Sequence, residues 1–251
     1  MQPLISLITP TRNRADLLLR TIQNVQLQSE PNWEMLVIDD GDGSGMTAAL
    51  GVADPRVQAF TNAGSGQVDA RNTALKMARG EVIHLLDDDD RWLDKNHFSS
   101  VLQKLGSEKA LLHRGGWLVL EQLENEVWLE QQRLVFSPAT TPKSLRSDNT
   151  LLTSGVAYRK ELHDELGLFD PELGNYWDWD WFLRVTSLYP LLSLEPPTVL
   201  MSWRSANVTS NTSRNPFETE RLMYLERLSR KHNLGTIPPK NHFTVLEPTQ
   251  P

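Results

Sequence analysis

The chain has 251 residues, enough for one large domain or two small ones and for a sizeable core. Its 39% hydrophobic and 23% charged residues are those of an ordinary soluble globular protein, and a net charge of -7 with a pI near 5.4 argues against a general nucleic-acid binder. The lack of cysteine excludes disulfides and thiolate metal sites and fits a reducing compartment.

Met1-Gln2-Pro3 has no basic character, and Leu4 to Ile8 is too short for a signal h-region or a membrane span. The expectation is a cytoplasmic protein. Asn207-Val208-Thr209 and Asn211-Thr212-Ser213 match a glycosylation pattern that such a chain would never use. Leu4 to Ile8 reads as a first strand, broken by Thr9-Pro10. Ala15 to Gln28 has Leu18, Ile22 and Val25 at helical spacing. Met35 to Ile38 is a second buried strand and Val57 to Phe60 a third, edge-like one. Val68 to Arg79 reads as a helix with Gly80 as its C-cap. Val82 to Leu86 is the next buried strand, and Leu93 to Leu105 the next helix. This alternation predicts a doubly wound, mostly parallel sheet over residues 1–105.

The second half is less regular. Ala110 to Leu120, Glu126 to Phe136 and Leu151 to Tyr158 look like strands. Ser137 to Asn149 is a polar loop, a candidate flexible segment. Arg159 to Leu166 reads as a short helix capped by Gly167; Trp177 opens another, and Thr219 to His232 is amphipathic. Residues 106–234 are expected to form a second, less regular half of the same domain, and 235–251 a Pro-rich tail.

The chemistry concentrates in Asp87-Asp88-Asp89-Asp90, directly after a buried strand. Ligands of open α/β sheets bind at the carboxyl ends of strands. Continued strand alternation would turn Asp87 and Asp89 to one site and Asp88 and Asp90 away from it. Paired carboxylates suit Mg²⁺ or Mn²⁺, which would in turn hold a diphosphate. The plainer reading is a solvated turn in which Asp90 or Asp94 caps the next helix. Gly41, Gly43 and Gly45 do not give G-x-G-x-x-G and read as a flexible turn; Asp39 remains a candidate nucleotide contact at its strand end. Asp178 and Asp180 lie among three tryptophans. Either they cap a helix, or one is a general base whose pKa is raised by apolar walls.

Taken together these residues resemble the family 2 glycosyltransferases of the GT-A fold. The likeness rests on Ile8-Thr9-Pro10-Thr11-Arg12-Asn13-Arg14, Val37-Ile38-Asp39-Asp40-Gly41, Ala70-Arg71-Asn72, Leu86 to Trp92, Gly167 to Asp170 and Trp177 to Arg184, in that order. It implies inverting transfer from a nucleotide-diphosphate sugar to a hydroxyl of a saccharide or glycolipid. By that likeness Thr9 and Asp39 contact the nucleoside and Arg71 the base or a phosphate. Asp87 to Asp89 form the D-x-D motif, with Asp87 and Asp89 on the metal and Asp88 near the donor ribose or sugar. Asp178 is the base, with Asp180 as the fallback. The family usually has Glu-Asp where Trp177-Asp178 stands, often Tyr at the place of Arg12, and in many members a His near Trp203-Arg204, where this chain has Ser205-Ala206-Asn207. Contact with the inner face of a membrane stays open for a glycolipid acceptor. The alternatives are a sugar-phosphate nucleotidyltransferase, which should carry a Gly-rich basic loop near its start, and a non-catalytic nucleotide-sugar binding module.

Overall fold

The computed structural model describes residues 4–124, 127–204 and 217–237. The glycosylation-like sequons, Ser205-Ala206-Asn207 and most of the Pro-rich tail lie outside the described residues. Four parallel strands form the first half of one mixed sheet: β1 (Ile5–Thr11), β2 (Trp33–Asp39), β3 (Val57–Thr61) and β4 (Val82–Leu85), in the order β3-β2-β1-β4. The helices α1 (Ala15–Gln26), α2 (Ser44–Gly51) and α3 (Gly66–Met77) connect them. β1 runs past the expected break to include Thr9 and Pro10. Its pairing with β4 stops at Ile8, so Pro10 sits where β1 has β2 alone as neighbour and no ladder bond is lost there.

Strand alternation divides the core. Leu7, Met35 and Val37 pack with Leu18, Ile22 and Phe98 on one face, while Ile8, Leu36 and Ile38 pack with Ala70, Leu75 and Trp181 on the other. Gly80 is not a left-handed cap: α3 ends on Ala78, and Gly80 donates its N–H to Ser6 Oγ at 2.8 Å. A Cβ at Gly80 would lie 2.6 Å from the Ser6 nitrogen, so glycine is required by close approach to β1.

The second half turns antiparallel. A two-residue β5 (Arg91–Trp92) precedes α4 (His97–Leu105), which starts four residues later than expected. Asp94 does accept a bond from the Asn96 N–H at 2.9 Å, next to that helix start. A long hairpin, β6 (Leu111–Glu124) and β7 (Val127–Phe136), follows. The polar loop contains a short helix, α5 (Pro142–Leu145), closed by a reciprocal capping box between Thr141 and Ser144 and anchored by fully buried Leu145. Then come β8 (Val156–Arg159), α6 (Leu162–Leu166), α7 (Trp177–Thr186), β9 (Leu191–Arg204) and α8 (Phe217–His232). β8 joins the halves, antiparallel to both β4 and β6, and β9 runs parallel to β6. Among the described residues no helix is long and apolar enough to cross a membrane.

Candidate active site

The carboxyl ends of β1, β2 and β4 open on one crevice of about 410 Å³. Its floor is the aspartate run. The strand ends at Leu85, and the chain then turns, with the Asp90 N–H bonded to the Asp87 carbonyl at 3.2 Å. The expected alternation is therefore replaced by a turn. Asp87, Asp88 and Asp89 all line the crevice, and Asp90 alone points into the protein. From α1, the Thr21 hydroxyl holds the carbonyls of Asp88 and Asp90 at 3.0 and 2.9 Å. Asn24 clamps both backbone groups of Trp92.

Each carboxylate of the turn has its own partners. Asp87 pairs with Arg71. Asp88 accepts the Thr11 hydroxyl at 2.7 Å and lies 3.3 Å from Arg14 Nη1, whose other partner is Asp89 at 3.1 Å. Burial, with Asp89 and Asp87 adding to it, pushes Asp88 up to about 6 against the pull of Thr11 and Arg14. Asp90 is raised well above the usual carboxylate range, again by burial first and then by Asp89 and Asp87. Its oxygens accept the Ser154 hydroxyl at 2.6 Å and the Ser202 N–H at 3.3 Å.

Beneath the turn, ring contacts fix tautomers. His84 Nδ1 lies 2.8 Å from the Leu85 carbonyl and must carry a proton to bond it; neutral His84 then accepts at Nε2 from His97 Nε2–H at 2.7 Å. His97 Nδ1 in turn accepts from Arg114 at 3.1 Å. Burial lowers the pKa of both rings, His84 to about 4, so both are neutral at pH 7.

The side walls differ from expectation in two places. Thr9 is fully buried and its hydroxyl has no partner among the described residues; Pro10, Thr11 and Arg12 form the wall instead. Asp39 accepts the N–H groups of Gly41 and Met46 at 2.8 and 2.9 Å and so shapes the loop that begins α2. Asp40 faces the crevice, 3.8 Å from Arg12, and accepts from Asn62 at 2.7 Å. A strand end pointing its last side chain inward and the next one outward was the available signal for Asp40.

Opposite the turn, Arg71 is buried, bonds Asp87 and stands 4.3 Å over the Trp177 ring. Asp178 follows Trp177 in the first turn of α7. One of its oxygens accepts from Asn149 at 3.0 Å and the other from the Trp179 N–H at 2.7 Å. Burial pushes Asp178 up to about 6, against those two bonds and Arg71, with nearby Asp87 reinforcing the rise. Asp180, the fallback base, is corrected by the structure. It is fully buried on the other side of α7, bonded to Arg184 at 2.8 Å, Lys231 at 2.9 Å and His232 at 2.7 Å. Burial raises its pKa, but His232, Arg184 and Lys231 outweigh burial and hold it below the usual range, so the structure places it in an ion cluster that joins α7 to α8.

The donor set fits a hard divalent cation. Carboxylate oxygens of Asp87 and Asp89 share one rim, and guanidinium cations already stand against both. Among the described residues no three acidic or imidazole side chains form a ready-made metal cage. Mg²⁺ needs none: it is held by one or two carboxylates and completes its shell with phosphate oxygens and water.

A parallel β3-β2-β1-β4 sheet with an aspartate turn at its carboxyl edge has the architecture of the GT-A fold. Solved structures have the same fold. A mannosyltransferase from Pyrobaculum calidifontis, in complex with GDP-Man and Mn²⁺, superposes with a TM-score of 0.63 at 18% identity, over 95% of this chain and 67% of that one. TarS 1-349 of S. aureus in complex with UDP-GlcNAc does so with a TM-score of 0.63 at 16% identity, over 92% of this chain and 66% of that one. The family described as Glycosyl transferase family 2 matches residues 6–167. An uncharacterized glycosyltransferase of Bacillus subtilis, YwdF, is 30% identical over 97% of this chain and 89% of its own length. The Escherichia coli protein WfgD, named a UDP-Glc:alpha-D-GlcNAc-diphosphoundecaprenol beta-1,3-glucosyltransferase, is 42% identical over 36% of each chain. The chain belongs to glycosyl transferase family 2, and is a glycosyltransferase of the kind that draws on nucleotide sugars.

Proposed function

We propose that this enzyme transfers a sugar, with inversion, from a nucleotide-diphosphate sugar to an acceptor hydroxyl. In this reading residues 1–105 carry the donor and residues 106–234 the base and the acceptor. Asp87 and Asp89 hold Mn²⁺ or Mg²⁺, and Asp88 lies toward the donor ribose or sugar. The bound ion would supply charge stabilisation to the diphosphate as it departs. Thr11, Arg12 and Asp40 wall the nucleoside, displacing Thr9 and Asp39 from that role, and Arg71 contacts the base or a phosphate.

The step is a single displacement. The acceptor oxygen bonds to the anomeric carbon while the bond from that carbon to the diphosphate oxygen breaks, and the electron pair leaves with the nucleoside diphosphate. Asp178 takes the acceptor proton. The observation that carries this reading is that Arg71 spans the crevice, bonded to Asp87 on one side and lying over Trp177 on the other, beside Asp178, which burial raises to about 6. A carboxylate with that pKa is ionised at neutral pH and basic enough to share a hydroxyl proton in the transition state. The acceptor is a saccharide or glycolipid, a proposal that draws on the printed name of WfgD.

Asp178→Asn tests the base. Transfer should fall by about 10²- to 10⁴-fold, while the thermal shift produced by UDP or GDP with Mn²⁺ stays as in the wild type. Wild-type transfer in Asp178→Asn would remove Asp178 from the mechanism.

A further inference from the structure

Arg14 is used by none of these roles, yet it lines the crevice. Its side chain is half exposed, and one nitrogen, Nη1, reaches both Asp88 at 3.3 Å and Asp89 at 3.1 Å. Asp89 Oδ2 thus meets a guanidinium at the place proposed for the dication. Asp88 has a second partner in Thr11, so it does not need Arg14 to stay in place. Arg71 is different: it is buried, lies over Trp177 and is bonded to Gln67, so its position is fixed from two sides. Arg14 is the cation of the pair that can leave. It stands one residue before α1, on the loop that follows β1.

We propose that Arg14 is the resident counter-cation of the aspartate turn, exchanged for the metal when the donor binds. Its guanidinium and the dication compete for the same carboxylate oxygens. Once displaced, it remains at the crevice wall and turns its N–H fork to the donor's diphosphate, which suits planar bidentate recognition. This keeps the carboxylates neutralised in the empty enzyme. It also makes metal binding weak until a diphosphate arrives to accept the released guanidinium. The inference rests on the metal reading of Asp87 and Asp89.

The experiment is a titration of Mn²⁺ into wild type, Arg14→Met, Arg14→Lys and Asp89→Asn, by calorimetry or by the resonance signal of unbound Mn²⁺, first alone and then with UDP or GDP. Arg14→Met should bind Mn²⁺ alone about fivefold tighter than wild type, the factor expected from removing one partly exposed ion pair. With the better nucleotide of the two present, the order should reverse, Arg14→Met binding the nucleoside diphosphate more weakly than wild type. Arg14→Lys, which keeps the charge without the fork, should fall between them in both. Equal or weaker binding of Mn²⁺ alone by Arg14→Met overturns the inference. The metal reading is judged separately. It stands if Asp89→Asn loses Mn²⁺ that the wild type binds with nucleotide, and it falls, taking the Arg14 inference with it, if the wild type binds none under either condition. Near-ultraviolet circular dichroism of each variant shows whether its fold is intact.

Discussion

Asp178 and Asp180 stand two residues apart on one helix, and their surroundings drive them in opposite directions. Successive helical residues are about 100° apart, so an i, i+2 pair points to nearly opposite faces. That spacing was legible in the sequence and already implied that one crevice could hold only one of them. Which one was only half legible: Arg184 stands four residues on along α7, but Lys231 and His232, which also claim Asp180, come from α8, some fifty residues on. The raised pKa of Asp178 has two consequences. Activity should fall on the acid side with an apparent pKa near 6, since the protonated carboxyl cannot take the acceptor proton. Stability has the opposite sign. The folded pKa lies above the unfolded value, so holding Asp178 as a charged group destabilises the fold above pH 6, and the penalty fades as pH falls toward 4. Asp178→Asn should therefore be more stable than wild type at pH 8, on the order of 2 kcal/mol, with the two melting curves converging near pH 4. A gain that is independent of pH would show that its origin is not the ionised carboxylate.

Elements with a clean apolar period were legible: β1, β2, β4, α1, α3, the β6–β7 hairpin and α8 all fall within a few residues of expectation. The failures have specific causes. β9 was missed because Glu195-Pro196-Pro197 interrupts it, and its register with β6 shifts at the same place, between Arg114 and Gly116. α2 hid behind Gly41, Gly43 and Gly45, whose loop is ordered by the Asp39 carboxylate and not by local propensity. Gly80 was assigned to a cap when its role is contact with β1. Gly80→Ala should cost about 1–3 kcal/mol in denaturant unfolding, because the obstructing Ser6 nitrogen is backbone and cannot swing aside. The docking of α8 depends on Asp180, with Lys231 also reaching Asp170 at 2.6 Å and Arg227 the Glu172 carbonyl at 3.1 Å. Asp180→Asn should lower stability by about 3 kcal/mol, as expected for one partner lost from a buried ion cluster, and expose α8 to protease. Per folded molecule, well below its melting temperature, it should keep most of its transferase activity. Loss of activity as deep as in Asp178→Asn would return Asp180 to the reaction.

At the scale of the molecule, the two halves of the sheet meet at β8, and Ser154 is one of the points where the two halves of the site meet. Ser154 is fully buried in the helical turn Thr153–Gly155 that leads into β8. Its Oγ accepts the Asp87 N–H at 3.0 Å and donates to Asp90 at 2.6 Å, and its carbonyl accepts from the Trp92 indole at 2.9 Å. The residue before it, Thr153, has its hydroxyl 3.5 Å from Asp178. One short turn from the second half of the chain thus fixes the aspartate turn of the first half and borders Asp178, the proposed base. The sequence gives Thr-Ser-Gly no distinguishing mark, since its meaning lies in partners more than sixty residues upstream. Ser154→Ala removes a donor from Asp90 and an acceptor from the Asp87 N–H, leaving buried polar groups short of a partner, so it should destabilise the fold by about 1–3 kcal/mol. Its effect on catalysis should separate from simple unfolding. Asp87 carries the proposed metal, and a turn released by a fraction of an ångström misplaces the diphosphate relative to Asp178. The expected signature, at a temperature where the variant is folded, is a fall in kcat together with weaker Mn²⁺ binding in the presence of nucleotide. Ser154→Thr, which keeps the hydroxyl, should recover Mn²⁺ binding if the added methyl is accommodated. A variant that is merely less stable, with kcat and Mn²⁺ affinity at wild-type values, would confine Ser154 to packing.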